Sequence, residues 1–216
     1  MTLDIRTYEL PPIGTNCFLV SNPERGETAV FDAPLNAWAT VEREAVRTGY
    51  RIGGLYLTHG HWDHTLDGGR FNEQEIPVHA HAGDRMFYEK PEVMGVFSMP
   101  GIEMKPVRVE TWLEHGQRIR IIGRPVEVRH VPGHSPGSIL YWFFEDNFAV
   151  SGDALFRGGV GRTDFPGCSF EELDRSIREN IYTMPAETVV YPGHGPETSV
   201  GREARGNPFV RAEVQG

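Results

Sequence analysis

Four strand-like runs of this 216-residue sequence are each followed closely by a histidine or an aspartate. The runs and the residues that follow them are 55–57 with His59, 126–131 with His134, 148–150 with Asp153, and 189–191 with His194. A rigid sheet that presents such side chains from loops at one rim builds a site of fixed geometry. This placement therefore predicts a sheet-based fold with one polar site at the strand ends.

Further runs rich in apolar and β-branched residues occur at 15–20, 28–31, 77–79 and 139–144, and most are bounded by Gly, Pro, Asn or Asp, as strands usually are. Two helices are predicted between them. Residues 36–48 place Trp38, Val41 and Ala45 on one face, and Gly49 follows. Residues 169–182 open with the capping-box pair Ser169 and Glu172. The expected buried stripe of this second helix is Phe170, Leu173, Ile177 and Ile181.

The composition excludes several classes of protein. The formal net charge of −9 argues against a nucleic-acid partner, because phosphate binding requires a basic surface. No apolar stretch approaches the roughly 20 residues needed to cross a membrane, and the first 20 residues lack a secretory pattern. Cys17 and Cys168 form no CxxC pair, so we expect small apolar residues rather than a disulfide. A cytoplasmic protein without a membrane partner is expected.

The segment 58–64, Thr-His-Gly-His-Trp-Asp-His, has three histidines and one aspartate within six positions. Imidazole is the commonest metal ligand in proteins, and carboxylates join it readily. In an extended or tightly turning loop, His59 and His61 can face one ion while Asp63 and His64 serve its neighbour. Two adjacent divalent ions are the more natural interpretation, because four ligands from so short a segment would be strained around one ion.

Three further ligands are predicted in loops, and each follows a glycine that lets the backbone turn: His134, Asp153 and His194. The other four histidines lack this pattern and are not expected to bind metal; they are His79, His81, His115 and His130. His and carboxylate ligands accept several metals, so zinc is expected first, with iron or manganese as alternatives.

With these motifs in order, the sequence resembles the metallo-β-lactamase superfamily, whose signature is the HxHxDH segment. The resemblance implies an α/β (α+β) fold, an αββα sandwich of two mixed β-sheets flanked by helices. It also implies that the first metal is held by His59, His61 and His134, and the second by Asp63, His64 and His194, with Asp153 bridging the two.

Within the superfamily, the chain resembles the short glyoxalase II-like (hydroxyacylglutathione hydrolase-like) thioesterases. The segments that carry the likeness are 158–167 (GGVGRTDFPG), 191–198 (YPGHGPET) and 206–209 (GNPF). About 22 residues follow His194, so we expect residues 1–216 to form a single domain without the helical C-terminal domain that helps to bind glutathione.

The resemblance implies hydrolysis of a small-molecule thioester, with glutathione as a candidate thiol, by a metal-bridging hydroxide that Asp63 or Asp153 orients. A thiolate, with a thiol pKa near 8.5, leaves with little help from an acid. Two alternatives stay open: a mononuclear Fe(II) persulfide dioxygenase, which shares residues 161–165, and a non-catalytic metal-binding module. The oligomeric state is left open.

Arg162 follows a glycine-rich loop and is the candidate to bind a substrate carboxylate, because its fork of donors matches that group. An ion pair with Asp164 is equally compatible with the sequence. Trp62, Phe156 and Arg157 are further candidates to border the site.

Overall fold

Two six-stranded sheets form the centre of the protein in a computed structural model, which describes residues 2–212. The first sheet contains, in bonded order, β1 (Asp4–Leu10), β2 (Thr15–Asn22), β3 (Glu27–Phe31), β4 (Arg51–Tyr56), β5 (Val78–His81) and β6 (Thr111–Leu113). Its strands β1 to β3 pair antiparallel and β3 to β6 pair parallel, so the sheet is mixed.

The second sheet is also mixed, since β10 and β13 pair parallel and the other neighbours pair antiparallel. Its strands are, in chain order, β7 (Arg118–Ile121), β8 (Arg124–His130), β9 (Ile139–Phe143), β10 (Phe148–Gly152), β13 (Val189–Pro192) and β14 (Thr198–Ser199). A separate small hairpin joins β11 (Leu155–Phe156) to β12 (Gly159–Val160).

Helices flank the two sheets. They are α1 (Ala37–Thr48), α2 (Trp62–Thr65), α3 (Gly68–Glu73), α4 (Arg85–Glu89), α5 (Phe170–Asn180) and α6 (Val200–Gly206), with 3₁₀ turns at Ala82–Asp84 and Pro91–Phe97. All of these helices except α2 pack on the outer faces of the two sheets. Among the described residues, no helix is long and apolar enough to cross a membrane.

The alternation of side chains along β2 explains the layering. Phe18 and Val20 join the core between the two sheets, whereas Cys17 and Leu19 face the helices outside the first sheet. A third core packs α5 and α6 against the second sheet, around residues such as Leu173. These four layers confirm the predicted αββα sandwich of two mixed sheets.

Each predicted strand forms, with ends shifted by up to four residues, but β1, β6, β7 and the two-residue strands β11, β12 and β14 were not predicted. The strand β1 lies at the edge of its sheet and has exposed residues on it, such as Asp4 and Glu9, so its sequence has no clear apolar run. Both predicted helices form, and the side chain of Ser169 accepts the backbone N–H of Glu172 as expected. The prediction for Phe170 was wrong: it is 40% exposed because it lies in the first turn, outside the buried stripe.

Candidate metal centre

The seven predicted ligands lie together at one rim of the two sheets, on the loops that leave β4, β8, β10 and β13. Six of them are buried, and the side chain of His194 is 26% exposed. Burial of so many polar side chains in one place requires partners that compensate the loss of water.

A short helix, rather than the expected extended or tightly turning loop, arranges the second half of the first motif. His61 is still extended, and α2 then begins at Trp62. The hydroxyl of Thr65 donates to the His61 carbonyl at 3.2 Å, which closes the single turn. The turn places Asp63 and His64 side by side, with Asp63 Oδ2 and His64 Nε2 3.3 Å apart.

Ligand atoms lie within 4.8 Å of one another in three groups of three residues. One group joins His59, His64 and Asp153, and the other two share no residue with each other. The first ligand set is His59, His61 and His134, and the second ligand set is Asp63, His64 and His194. Within the sets, His59 Nε2 and His134 Nε2 are 3.2 Å apart, and Asp63 Oδ2 and His194 Nε2 are also 3.2 Å apart. These are the two sets that the family resemblance implied.

Asp153 lies between the two sets. Its Oδ2 is 3.6 Å from His134 Nε2 and 3.5 Å from His194 Nε2, and its Oδ1 is 3.4 Å from His64 Nε2. One carboxylate therefore contacts members of both sets, as a bridging ligand must.

Hydrogen bonds from the opposite ring nitrogens orient the histidines. The Nδ1 atoms of His134 and His194 lie 2.7 Å from the Arg162 carbonyl and 3.2 Å from the Gly14 carbonyl. Since a carbonyl only accepts, Nδ1 carries the proton and Nε2 keeps its lone pair for a metal.

Asp32, which was not predicted as a site residue, orients two histidines of the first motif through hydrogen bonds. Its carboxylate accepts His64 Nδ1 at 2.8 Å, the Thr58 amide at 2.8 Å and the Thr58 hydroxyl at 2.8 Å. The Thr58 oxygen is then free to accept His59 Nδ1 at 3.1 Å. One buried carboxylate therefore orients a ligand of each set.

Three buried atoms of the cluster make no hydrogen bond among the described residues: His61 Nε2, His64 Nε2 and Asp153 Oδ1. Buried polar atoms without partners are rare in folded proteins, because each costs about 1–3 kcal/mol. All three belong to predicted metal ligands, so metal ions among them would satisfy each one. The donor set of imidazoles and carboxylates fits divalent zinc, iron or manganese.

The electrostatics of the cluster also suit cations. Burial, reinforced by neighbouring histidines, lowers the pKa of His59 and of His61 well below the ordinary value, so both rings are neutral ligands at pH 7. Burial alone would lower the pKa of His64 as well. The carboxylates of Asp63 and Asp153, with Asp32, outweigh that effect and raise the pKa of His64 well above its ordinary value. The negative surroundings that retain this proton would equally attract a metal cation.

The glycines that precede the three later ligands do not share one role. Gly133 and Gly152 adopt positive φ angles of 127° and 53°, as the predicted sharp turns require. Gly193 has no such angle. A Cβ there would lie 2.1 Å from Asp153 Oδ1 and 2.7 Å from His64 Cε1, so this glycine allows the ligands to approach its backbone.

A cavity of about 370 Å³ opens beside the ligand sets. Apart from the metal ligands, its lining is Ile13, Trp62, Phe97, Phe156, Val160, Arg162 and Phe165. Trp62 and Phe156 therefore border the cavity, whereas Arg157 does not and instead donates to the Glu197 carbonyl at 2.9 Å.

Arg162 both lines this cavity and pairs with Asp164. Its Nε and Nη2 atoms donate to the two carboxylate oxygens of Asp164, each at 2.6 Å, and its guanidinium lies 4.4 Å from the Phe165 ring centre. The Arg162 side chain is 60% exposed, so it stands at the mouth. Of the two roles open from the sequence, the structure contains the ion pair, and binding of a substrate carboxylate stays a prediction.

The four remaining histidines belong to no group that could hold a metal within residues 2–212. His79 stacks on Tyr56 with ring centres 4.6 Å apart, and His81 stacks on His130 at 4.1 Å. His115 Nδ1 accepts the His130 amide. The two cysteines are free, and Cys168 donates its thiol to the His134 carbonyl at 2.9 Å.

Comparisons with known proteins agree with this geometry. A family model described as the metallo-beta-lactamase superfamily matches residues 10–194. A probable metallo-hydrolase of Bacillus subtilis, YqgX, is 34% identical and covers 95% of this chain and 96% of its own length. A hydroxyacylglutathione hydrolase of Haemophilus influenzae, GloC, is 32% identical and covers 98% of this chain and 100% of its own length.

Solved structures show the same fold. The BLEG-1 B3 metallo-beta-lactamase superposes with a TM-score of 0.88 at 32% identity, covering 96% of this chain and 99% of the other. The protein TTHA1623, solved in a di-iron-bound form, gives a TM-score of 0.79 at 34% identity, covering 95% of this chain and 100% of the other.

Proposed function

The chain belongs to the metallo-β-lactamase superfamily, and from this membership we propose that it is a dinuclear metal-dependent hydrolase of thioesters. The observation that carries the proposal is the pair of ligand sets that Asp153 joins, next to an open cavity. With Asp153, each ion would have four protein ligands, so a five- or six-coordinate ion would keep a position open for water or substrate.

The three buried atoms without hydrogen-bond partners, His61 Nε2, His64 Nε2 and Asp153 Oδ1, fit as ligands of two divalent ions. His59, His61 and His134 would hold the first, Asp63, His64 and His194 the second, and Asp153 both. Divalent ions bound there would lower the pKa of water to about 7 and polarise the carbonyl of a substrate. The di-iron-bound relative supports iron as an alternative to zinc.

The protein's own groups would orient the reaction. Asp63 and Asp153 border the cavity and accept hydrogen bonds, so either can orient the attacking water toward a bound ester. The hydroxyl of Thr15 donates to Asp63 Oδ2 at 2.8 Å and fixes that carboxylate. Trp62 and Phe156 give the cavity an apolar wall beside these carboxylates.

The cavity lining favours a thioester over an amide. Apart from the predicted metal ligands, Arg162 is the single titratable residue that residues 2–212 contribute to the lining, and a guanidinium does not give up its proton in proteins. An amide would need an acid to protonate its nitrogen, whereas a thiolate with a conjugate-acid pKa of about 8.5 leaves without one. Similarity to the hydroxyacylglutathione hydrolase GloC supports a hydroxyacyl thioester of a small thiol such as glutathione.

Hydrolysis of S-lactoylglutathione, followed by release of free thiol, tests the proposal. We expect turnover by the metal-loaded protein, loss of turnover in His194→Ala, and normal turnover in the matched control His115→Ala, whose exposed ring lies outside both ligand sets.

Two further assays use the same preparation. Oxygen uptake with glutathione persulfide, together with about one iron per chain and no thioester hydrolysis, would instead identify a mononuclear dioxygenase. Opening of a chromogenic β-lactam without thioester turnover would identify a lactamase like BLEG-1. Bound metal without any of these activities would identify a non-catalytic module.

A further inference from the structure

Asp84 is a buried carboxylate outside both ligand sets, at the end of the 3₁₀ turn Ala82–Asp84 and directly before α4. It is 1% exposed and has no cationic partner among the described residues. Three groups donate to it: the Gly60 amide at 2.7 Å, the Ser135 hydroxyl at 2.7 Å and the Gly137 amide at 2.6 Å. Short bonds from N–H and O–H groups are those that stabilise an ionised carboxylate.

The three donors flank the first ligand set. Gly60 lies between His59 and His61, and Ser135 directly follows His134. The loops that carry these ligands come from different sheets, since one follows β4 and the other follows β8. Asp84 therefore links the two loops from which every ligand of the first set projects.

Close packing reinforces the link. A Cβ at Gly60 would lie 2.9 Å from the Asp84 Cβ, and a Cβ at Gly137 would lie 2.6 Å from the Asp84 Cγ. A Cβ at Gly83 would lie 2.5 Å from the Pro136 carbonyl oxygen. A side chain at Gly60 or Gly137 would collide with Asp84, and one at Gly83 would collide with the Pro136 backbone. The segment around Asp84 therefore packs directly against both loops.

The second ligand set depends on other residues. Thr15 donates to Asp63, Asp32 accepts from His64, and the Gly14 carbonyl accepts from His194. None of the hydrogen bonds described for Asp84 is made by Asp63, His64 or His194 or by a residue next to one of them. Asp63 and His64 lie in α2, which begins after His61.

We propose that Asp84 is a positioning residue that sets the spacing between His134 and the His59–His61 pair, so that the first metal site requires it and the second does not. A buried charge is costly: burial raises the pKa of Asp84 to about 6 despite its three hydrogen bonds. A neutral residue would avoid the free-energy cost of a buried charge. The presence of a carboxylate at this position is therefore better explained by the hydrogen bonds that join the two loops than by fold stability alone.

Asp84→Asn tests this role with little change of shape. An amide has one acceptor oxygen, and its NH₂ group would face the Gly60 amide or the Gly137 amide, donor against donor. We expect metal content, measured by elemental analysis after dialysis, to fall from about two ions per chain to about one. Loss of such an outer hydrogen bond typically weakens metal affinity about 10–100-fold.

Asp67→Asn is the matched control. Asp67 is also buried and accepts the Trp38 amide at 3.0 Å, but it bonds to neither loop of the first ligand set. We expect Asp67→Asn to keep about two ions. Equal metal loss in the two variants would show a general effect of losing a buried carboxylate and would overturn the proposal.

Double variants identify which ion is lost. Asp84→Asn combined with His61→Ala should bind about one ion, because both changes affect one site. Asp84→Asn combined with His194→Ala should bind none. The reverse pattern, or two ions retained at normal affinity in Asp84→Asn, would contradict the assignment.

Ser135→Ala covers the case in which Asp84→Asn does not fold. It removes one of the three donors and leaves the backbone amides in place. A chelator titration should then show one of the two metal dissociation constants weakened about tenfold or more. Two unchanged constants would overturn the proposal.

Discussion

Gly193→Ala adds one methyl group at the place where the backbone passes closest to the ligands. The new Cβ would lie 2.1 Å from Asp153 Oδ1 and 2.7 Å from His64 Cε1, inside the 3.0 Å that real Cβ contacts respect. Gly193 has no positive φ angle, so the effect of the substitution is steric rather than a backbone strain.

The required displacement can be worked out from these distances. Asp153 Oδ1 has to move by at least about 0.9 Å to restore a separation of 3.0 Å from 2.1 Å. A misplacement of about 1 Å in a reactive site costs about 100-fold in rate. Overpacking in addition costs about 1–3 kcal/mol of unfolding free energy, which lowers Tm by about 2–4 °C per kcal/mol in a chain of this size.

We therefore expect Gly193→Ala to lose at least about 100-fold in kcat/KM for a thioester, with metal content below two ions per chain. Gly206→Ala is the matched control, because a Cβ there meets nothing within 4 Å and its φ is not positive. The control should keep its metal and its activity. A Gly193→Ala protein with full metal content and activity within threefold of the parent would refute the proposed placement of Asp153.

Three further outcomes are expected. Asp164→Asn frees the guanidinium of Arg162, so KM for glutathione thioesters, which carry carboxylates, should fall; an equal fall for a neutral thioester would contradict this explanation. Tyr141→Phe removes the hydroxyl that donates to the buried Leu57 carbonyl at 2.8 Å, so urea titration should show about 1–3 kcal/mol less stability. Chelation of the metals should lower Tm in a thermal melt, since a ligand at 1,000 times its Kd stabilises by about 4 kcal/mol; an unchanged Tm would mean that the metals do not stabilise the fold.

The sequence predicted the fold and the composition of the candidate site because both rest on local signals. Apolar runs bounded by turn residues indicated most strands, and glycines beside His134 and Asp153 indicated the loops. The edge strand β1 was not predicted because it is half exposed and has no clear apolar run. The helix α2 was not predicted because its four residues are too few to show a helical periodicity.

The residues that orient the ligands were not predictable from a local pattern. Asp32 lies 32 residues from His64, and Asp84 lies 24 residues from Gly60 and 53 from Gly137. A single aspartate carries no signal of such distant partners, which only the packing of loops from both sheets brings together. The ion pair of Arg162 and Asp164 could be predicted because the two residues are close in sequence. The exposure of the Arg162 side chain at the cavity mouth could not be predicted, because it depends on how the surrounding loops pack.

The central claim is that two metal ions, bound by the two ligand sets, are required for hydrolysis. Its most direct test adds metal stepwise to chelated protein, while bound ions per chain and thioester hydrolysis are measured on the same samples. We expect saturation at about two ions, with full turnover reached only as the second ion binds. Hydrolysis by the metal-free protein, or binding of two ions without thioester turnover at any stage, would contradict the account.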